Sequence, residues 1–193
     1  MQKMKVILAS SNPGKLKEYY EIFKTVNMEI IPQSEFNIVD AKETGLTFIE
    51  NAIIKARHAC QYSGLSAISD DTGLIIDALN GKPGIYSARY AATSEERIEK
   101  VLQELKEVEE PKRTARFCCA TVFLKNSEDP APVIGQGIWE GRILFKPQGK
   151  NGFGYDPIFY VPEKNCSVAE LSAGEKSQLG HRGKSIRDLL SQL

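Results

Sequence analysis

Four short segments of the sequence carry residue types that do chemistry. Ser10-Ser11-Asn12-Pro13-Gly14-Lys15 stands between an apolar run and a helical pattern. Backbone N–H groups at a helix start attract anions and a lysine adds a point charge, so the segment reads as a phosphate grip. It is not a Walker A loop, which needs Gly where Ala9 stands and Ser or Thr where Leu16 stands. An ordinary strand-to-helix turn with a solvated lysine is the alternative reading. Ser69-Asp70-Asp71-Thr72-Gly73 places two adjacent carboxylates at the end of an apolar run. They repel unless a cation or hydrogen-bond donors compensate. Hard oxygen ligands of this kind suit Mg²⁺, which keeps waters and bridges to phosphates. Glu43, in the acidic stretch Asp40 to Glu43, is placed to reach the same ion. The alternative is an Asx-type turn with solvated carboxylates.

The third segment is Gly152-Phe153-Gly154-Tyr155-Asp156. Glycines let a backbone approach a flat ligand closely, and an aromatic face stacks on a base; packing alone is the alternative. The fourth runs through Gly174-Glu175-Lys176-Ser177 to Gly180-His181-Arg182-Gly183-Lys184, dense in cations and donors, or else a solvated basic turn. No trio reads as Ser/His/Asp or Cys/His. Cys60, Cys118, Cys119 and Cys166 form no CxxC pair, and with only His58 and His181 they give no zinc spacing. His58 reads as a structural or surface residue, and the cysteines as reduced, partly buried thiols.

The elements that must position these segments follow from periodicity. Lys5 to Ala9 reads as a buried strand, and Leu16, Tyr19, Tyr20 and Phe23 make the stripe of an amphipathic helix with Pro13 near its start. Met28 to Ile31 is a second strand. Thr47-Phe48-Ile49-Glu50 is a capping box opening a helix with Ile49, Ala52, Ile53, Ala56 and Cys60 on one face and Asn51, Lys55 and His58 on another. Ser66 to Ser69 reads as a short strand, Asn80 to Gly84 as a turn, and Ser94 to Val108 as a charged helix with Ile98, Val101, Leu102 and Leu105 inward. Thr114 to Leu124 and Val133 to Phe145 read as a long hairpin, followed by a short strand at Pro157 to Val161. Ser172-Ala173-Gly174-Glu175 is another capping box, and the last helix points Ile186, Leu189, Leu190 and Leu193 inward. Alternating strands and helices without a linker predict one mixed α/β domain over 1–193 with two lobes.

Composition narrows the function. Lys+Arg and Asp+Glu are 25 each in 193 residues, giving zero formal net charge. That disfavours a nucleic-acid coat or a polybasic membrane binder and leaves room for a local anion pocket. No run approaches the length needed to span a bilayer. Met1 to Ser10 reads as a strand rather than a signal peptide, so a cytoplasmic address is expected.

Six segments taken in order resemble the inosine triphosphate pyrophosphatase family, whose bacterial members are called dITP/XTP pyrophosphatases. They are Ser11-Asn12-Pro13-Gly14-Lys15, Thr47-Phe48-Ile49-Glu50-Asn51-Ala52, Ser69-Asp70-Asp71-Thr72-Gly73-Leu74, Pro83-Gly84-Ile85-Tyr86-Ser87-Ala88-Arg89-Tyr90, Phe153-Gly154-Tyr155-Asp156-Pro157 and His181-Arg182-Gly183. They run across nearly the whole chain. Thr72 departs from the Ser of many bacterial members but keeps the hydroxyl. The resemblance implies a two-lobed α/β fold around a long central mixed sheet flanked by helices, with the substrate cleft between the lobes. It implies a homodimer and Mg²⁺-dependent hydrolysis of a purine nucleoside triphosphate to the monophosphate and pyrophosphate. It makes Asp71 the catalytic base and a metal ligand, with Glu43 at the same ion. It places Ser10, Ser11, Asn12, Pro13, Gly14, Lys15, Thr72, Phe153, Gly154, Tyr155, Asp156, Lys176, His181 and Arg182 on the substrate, supported by Asp70, Glu50, Asn51 and Lys55.

The chemistry of the residues agrees with that reading. Cleavage between the α- and β-phosphates needs an in-line water, charge neutralisation and a held leaving group. His181 and Arg182 are able to donate to a 6-keto oxygen, which adenine lacks; guanine must be refused at its 2-amino group by residues the sequence does not identify. Two other classes are weaker. A Maf-like pyrophosphatase would act on other triphosphates. A nucleotide-binding regulator without turnover gains little from two carboxylates beside a triphosphate.

Overall fold

The computed structural model describes residues 3–193. Met1 and Gln2, part of the expected N-terminal strand segment, lie outside the described residues. Seven strands form a mixed sheet in the order β2-β1-β3-β4-β5-β6-β7. They are β1 (Met4–Leu8), β2 (Met28–Pro32), β3 (Ser66–Ile76), β4 (Thr114–Leu124), β5 (Val133–Ile143), β6 (Phe159–Val161) and β7 (Cys166–Ser167). β1 pairs parallel with β2 and with β3, whereas β6 pairs antiparallel with β5 and with β7. Among the described residues five α-helices accompany them: α1 (Pro13–Phe23), α2 (Phe48–Ser63), α3 (Ser94–Glu104), α4 (Ala173–Leu179) and α5 (His181–Leu190). Among the described residues no helix is long and apolar enough to cross a membrane.

The chain divides into two compact units. Unit 1 comprises Met1–Asp71, Cys119–Gly137 and Arg182–Leu193; unit 2 comprises Thr72–Cys118 and Ile138–His181. In unit 1, side chains alternate across the strands, so the unbroken apolar run of β1 fills two cores. Ile7, Ala9 and Ala67 meet Ala52, Ala56, Ala59 and Cys60 of α2. Val6, Leu8 and Ile68 meet Tyr19 and Phe23 of α1 and Ile186 and Leu189 of α5. The small residues of α2 let that helix approach the sheet closely. Unit 2 has its own core, built from Leu74, Ile76, Val101, Leu105, Phe117, Trp139, Tyr155, Phe159 and neighbours.

Several sequence expectations need correction. The strand expected over Ser66 to Ser69 does not stop before the aspartates; β3 runs on to Ile76, carrying Asp70 and Asp71 in mid-strand. Their charges are neutralised by lysines, described below, so an extended buried backbone tolerates them. The capping box at Ser172 opens a short helix of its own, α4, separated from the last helix, α5, by Gly180 in an extended conformation that closes α4 through its N–H to the Lys176 carbonyl, 2.8 Å. α5 ends at Leu190, so Leu193 is 51% exposed rather than inward. Tyr20 is likewise 40% exposed, since the buried stripe of α1 is only wide enough for Tyr19 and Phe23. The helix expected to reach Val108 stops at Glu104, and β5 stops at Ile143 rather than Phe145.

Candidate active site

The phosphate-grip segment of unit 1 is built as a helix cap. Asn12 precedes α1 and its side-chain oxygen accepts from the N–H groups of Gly14 (2.9 Å) and Lys15 (3.3 Å), while Pro13 needs no partner in the first turn. Ser10 Oγ accepts from Asn12 N–H at 3.3 Å, and Ser11 Oγ donates to Asp40 at 2.6 Å. Lys15 leaves this turn and reaches β3. Its ammonium lies 2.9 Å from Asp70 Oδ2 and donates to the Asp70 carbonyl at 3.3 Å.

The adjacent aspartates have different surroundings because successive residues of a strand face opposite sides. Asp70 is buried. Besides Lys15 it meets Arg182 Nε at 3.2 Å, and the Cys119 thiol donates to it at 3.7 Å. Burial pushes its carboxyl up, but Lys15, Arg182 and Lys55 outweigh burial and hold it well below the usual range. Asp71 faces Lys55 Nζ at 2.9 Å and Asn51 Nδ2 at 3.4 Å. Here burial wins: with Glu43 adding repulsion, the Asp71 carboxyl is raised despite Lys55 and Lys15. Lys55 also binds Glu43, at 2.7 Å. Burial depresses the Lys55 ammonium, yet Asp71, Asp70 and Glu43 together raise it above its ordinary value.

Glu43 and Asp71 therefore converge on one positive group. Two carboxylates with no nitrogen or sulfur ligand are the protein share that Mg²⁺ takes, leaving its other positions to water and phosphate oxygens. Among the described residues no cluster of three or more His, Cys, Asp or Glu is arranged to hold a metal by itself. The residues thus fit a shared ion and not an all-protein cage.

The second group of expected site residues belongs to unit 2. Asp156 is the centre of it, accepting from the Phe153 N–H at 2.9 Å and from Lys176 Nζ at 2.7 Å. Lys176 also sits 4.2 Å over the centroid of the Phe153 ring, a cation–π contact. Gly152, at φ +78°, is required here, because a Cβ would collide with the Asp156 carboxylate. Gly154 also takes positive φ. Tyr155 is buried in the unit 2 core and donates its hydroxyl to the Ser87 carbonyl at 2.9 Å; burial pushes its phenol up to about 12, so it stays a neutral donor. Thr72 donates to the Cys118 carbonyl at 3.1 Å. His181 stacks on Phe117 with centroids 4.7 Å apart.

Arg182, consecutive with His181, falls in unit 1 and is only 2% exposed. It donates through Nη1 to Glu18 and through Nε to Asp70, whose charges, against the opposing effect of burial, raise its pKa. Glu50, expected as a supporting site member, is occupied elsewhere: its carboxylate accepts from Leu46 N–H, Thr47 N–H and Thr47 Oγ, closing the capping box of α2. Three contributors escaped the sequence reading. Glu18 holds Arg182 from α1, Asp40 holds Ser11, and Cys119 touches Asp70. Glu18 had one visible signal, its place one turn beyond Lys15 on the same helix face.

Comparison with known proteins points the same way as this geometry. The chain is 53% identical over 192 residues to a dITP/XTP pyrophosphatase of Vibrio parahaemolyticus, covering 98% of this chain and 96% of that one. A relative from Idiomarina loihiensis carrying the same name is 52% identical over 200 residues, covering 100% and 99%. A HAM1 protein structure from Coxiella burnetii superposes with TM-score 0.91 at 48% identity, covering 98% of this chain and 100% of the other. The Ham1 protein of Staphylococcus aureus gives 0.85 at 39% identity, with 97% and 96% covered. The Ham1 family model matches residues 6–192, from the first strand through the last helix, and the chain belongs to that family.

Proposed function

We propose that this protein is a nucleoside-triphosphate pyrophosphatase. It hydrolyses the deaminated purine nucleotides ITP, dITP and XTP to the monophosphate and pyrophosphate, with Mg²⁺, and so cleanses the nucleotide pool. The observation that carries the reading is the split between two neighbouring aspartates. Asp70 is held ionised by Lys15 and Arg182, whereas Asp71 has a raised carboxyl beside Lys55 and Glu43. Neighbouring titratable groups pushed apart in this way mark an acid–base site. The names of the relatives above, dITP/XTP pyrophosphatases, support the substrate class.

In this reading the Ser10–Lys15 turn and the start of α1 hold the triphosphate through backbone N–H groups and the Lys15 ammonium. Glu43 and Asp71 hold Mg²⁺, which when bound neutralises charge on the phosphate oxygens. Asp71 takes a proton from the attacking water as its oxygen bonds to the α-phosphorus, and pyrophosphate leaves with the bridging electron pair. Lys55 keeps Asp71 anionic enough to accept that proton and aims its carboxylate. Phe153 stacks on the base. Gly154, Tyr155 and Asp156 shape its seat, with Lys176 fixing Asp156 and Thr72 adding a hydroxyl. His181 and Arg182 meet the 6-keto oxygen. The protein works as a cytoplasmic homodimer.

The test is product release from ITP and XTP beside ATP and GTP, with and without Mg²⁺, quantifying pyrophosphate and orthophosphate separately. Mg²⁺-dependent pyrophosphate from ITP and XTP alone is expected. Orthophosphate, or indifference to the base, would refute the bond or the pocket. Asp71→Asn is expected to abolish turnover while leaving the melting transition nearly in place; near-normal activity would remove Asp71 from the chemistry.

A further inference from the structure

Residues 38–45, between β2 with its following 3-10 turn and α2, have no regular secondary structure, yet they carry Glu43. Such a segment holds a carboxylate in place only if its backbone is fastened. One stripe of α2 does this. Asn51, Lys55 and His58 are spaced by four and three residues and lie on one helix face. Asn51 Oδ1 accepts from Gly45 N–H at 2.8 Å, Lys55 binds the Glu43 carboxylate, and His58 Nε2 meets the Val39 carbonyl at 2.9 Å. A carbonyl only accepts, so His58 carries its proton on Nε2. Tyr62, one turn further along the stripe, covers the imidazole with ring centroids 4.7 Å apart. A second fastening comes from the other side. Asp40 Oδ1 accepts from Gln33 Nε2 at 2.5 Å and Asp40 Oδ2 from Ser11 Oγ at 2.6 Å. Asp40 thus ties the same segment to the phosphate-grip turn.

We infer that Asp40 and His58 are positioning residues that set the Glu43 segment in register with the Ser10–Lys15 turn, so that the metal carboxylate and the triphosphate grip are aligned before substrate arrives. This rests on the reading of Glu43 and Asp71 as the metal pair. Neither residue touches the substrate; each acts through the backbone or a hydroxyl it holds. Both roles need hydrogen bonds and not charge. His58→Gln keeps a donor for the Val39 carbonyl, and Asp40→Asn keeps one acceptor and gains a donor for the Ser11 hydroxyl.

The experiment compares His58→Ala, Asp40→Ala, His58→Gln and Asp40→Asn in the full chain. One readout is Mn²⁺ binding to the nucleotide-free protein, followed by loss of the free Mn²⁺ electron paramagnetic resonance signal. The other is amide hydrogen exchange across residues 38–46. Both alanine variants are expected to weaken Mn²⁺ binding about tenfold, the scale for partners that orient a metal ligand, and to speed exchange in the segment. The conservative variants restore both. Asp40→Ala alone is expected to raise KM for ITP at saturating Mg²⁺ with kcat nearly kept, since only it releases Ser11. Unchanged Mn²⁺ binding and exchange in the alanine variants would overturn the inference. So would equal losses in the alanine and conservative variants accompanied by a lowered melting temperature. Glu43→Gln separates the two levels: if it binds Mn²⁺ like the unmodified protein, the metal reading itself fails, whatever the other variants do.

Discussion

Asp70 touches an ammonium, a guanidinium and a thiol, and its full burial makes each of those contacts consequential. Removing one member of a buried ionic set costs about 3–5 kcal/mol, because the charges left behind have neither water nor partner. Asp70→Asn is therefore expected to lower unfolding free energy by roughly that amount at neutral pH, read from urea titration. The pH dependence has a definite sign. A carboxylate depressed in the folded state contributes stability above its unfolded pKa, and that contribution is lost as pH falls through the folded value. The gap between the unmodified protein and Asp70→Asn is thus expected to be widest near neutrality and to narrow as pH falls below about 3.9, the ordinary aspartate value. A gap independent of pH would show that Asp70 is not the ionised member. Arg182→Ala carries the same structural penalty and exposes Glu18 as well. Its loss of ITP activity therefore counts as base recognition only if Arg182→Lys, which keeps the charge, recovers the fold but not the selectivity. At this scale the sequence was legible wherever residues act in consecutive runs, as in Asn12 to Lys15 or Asp70 to Thr72. It was not legible for Glu18, which meets Arg182 across a separation of 164 residues.

Elements hold these groups through a few close contacts. The capping box of α2 fixes the helix that presents Asn51, Lys55 and His58. Thr47→Ala is expected to cost about 1 kcal/mol in a denaturant titration and to weaken nucleotide turnover modestly. α5 lies directly on β5: a Cβ at Gly135 would run into the Ser185 carbonyl, the Leu189 N–H and the Leu189 side chain. Backbone cannot swing aside as a side chain can, so Gly135→Ala is expected to destabilise by about 1–3 kcal/mol, the range for overpacking. An unchanged melting temperature would mean that α5 shifts without cost. Tyr155→Phe strands the Ser87 carbonyl and frees the Gly152–Asp156 segment; with that segment as the proposed seat of the base, KM for ITP is expected to rise more than kcat falls. Capping boxes and apolar stripes made α1, α2 and α3 readable. β3 was misread because a run of two aspartates and a glycine resembles a turn. The distant Lys15, Lys55 and Arg182 make those aspartates compatible with a strand.

On the scale of the whole molecule, both units are assembled from separated stretches of chain, three for unit 1 and two for unit 2. No single cut yields either one intact. The core around Val6, Leu8 and Ile68 takes Phe123 from β4 and Ile186 and Leu189 from α5. A fragment ending at Leu179 is expected to lack a cooperative thermal transition, because those apolar groups lose their cover and Asp70 loses Arg182. A sharp transition in that fragment would show that α5 is dispensable. Alternating elements made the α/β class plain from the sequence. The interleaving of the two units was not, since contacts between distant segments leave no local periodic trace.

That α5 supplies both Arg182 and the apolar pair Ile186 and Leu189 ties a buried charge to a wall of the unit 1 core. Packing and charge neutralisation therefore fail together: whatever loosens α5 strips Asp70 of its guanidinium at the same moment that it lets water onto Val6, Leu8 and Ile68.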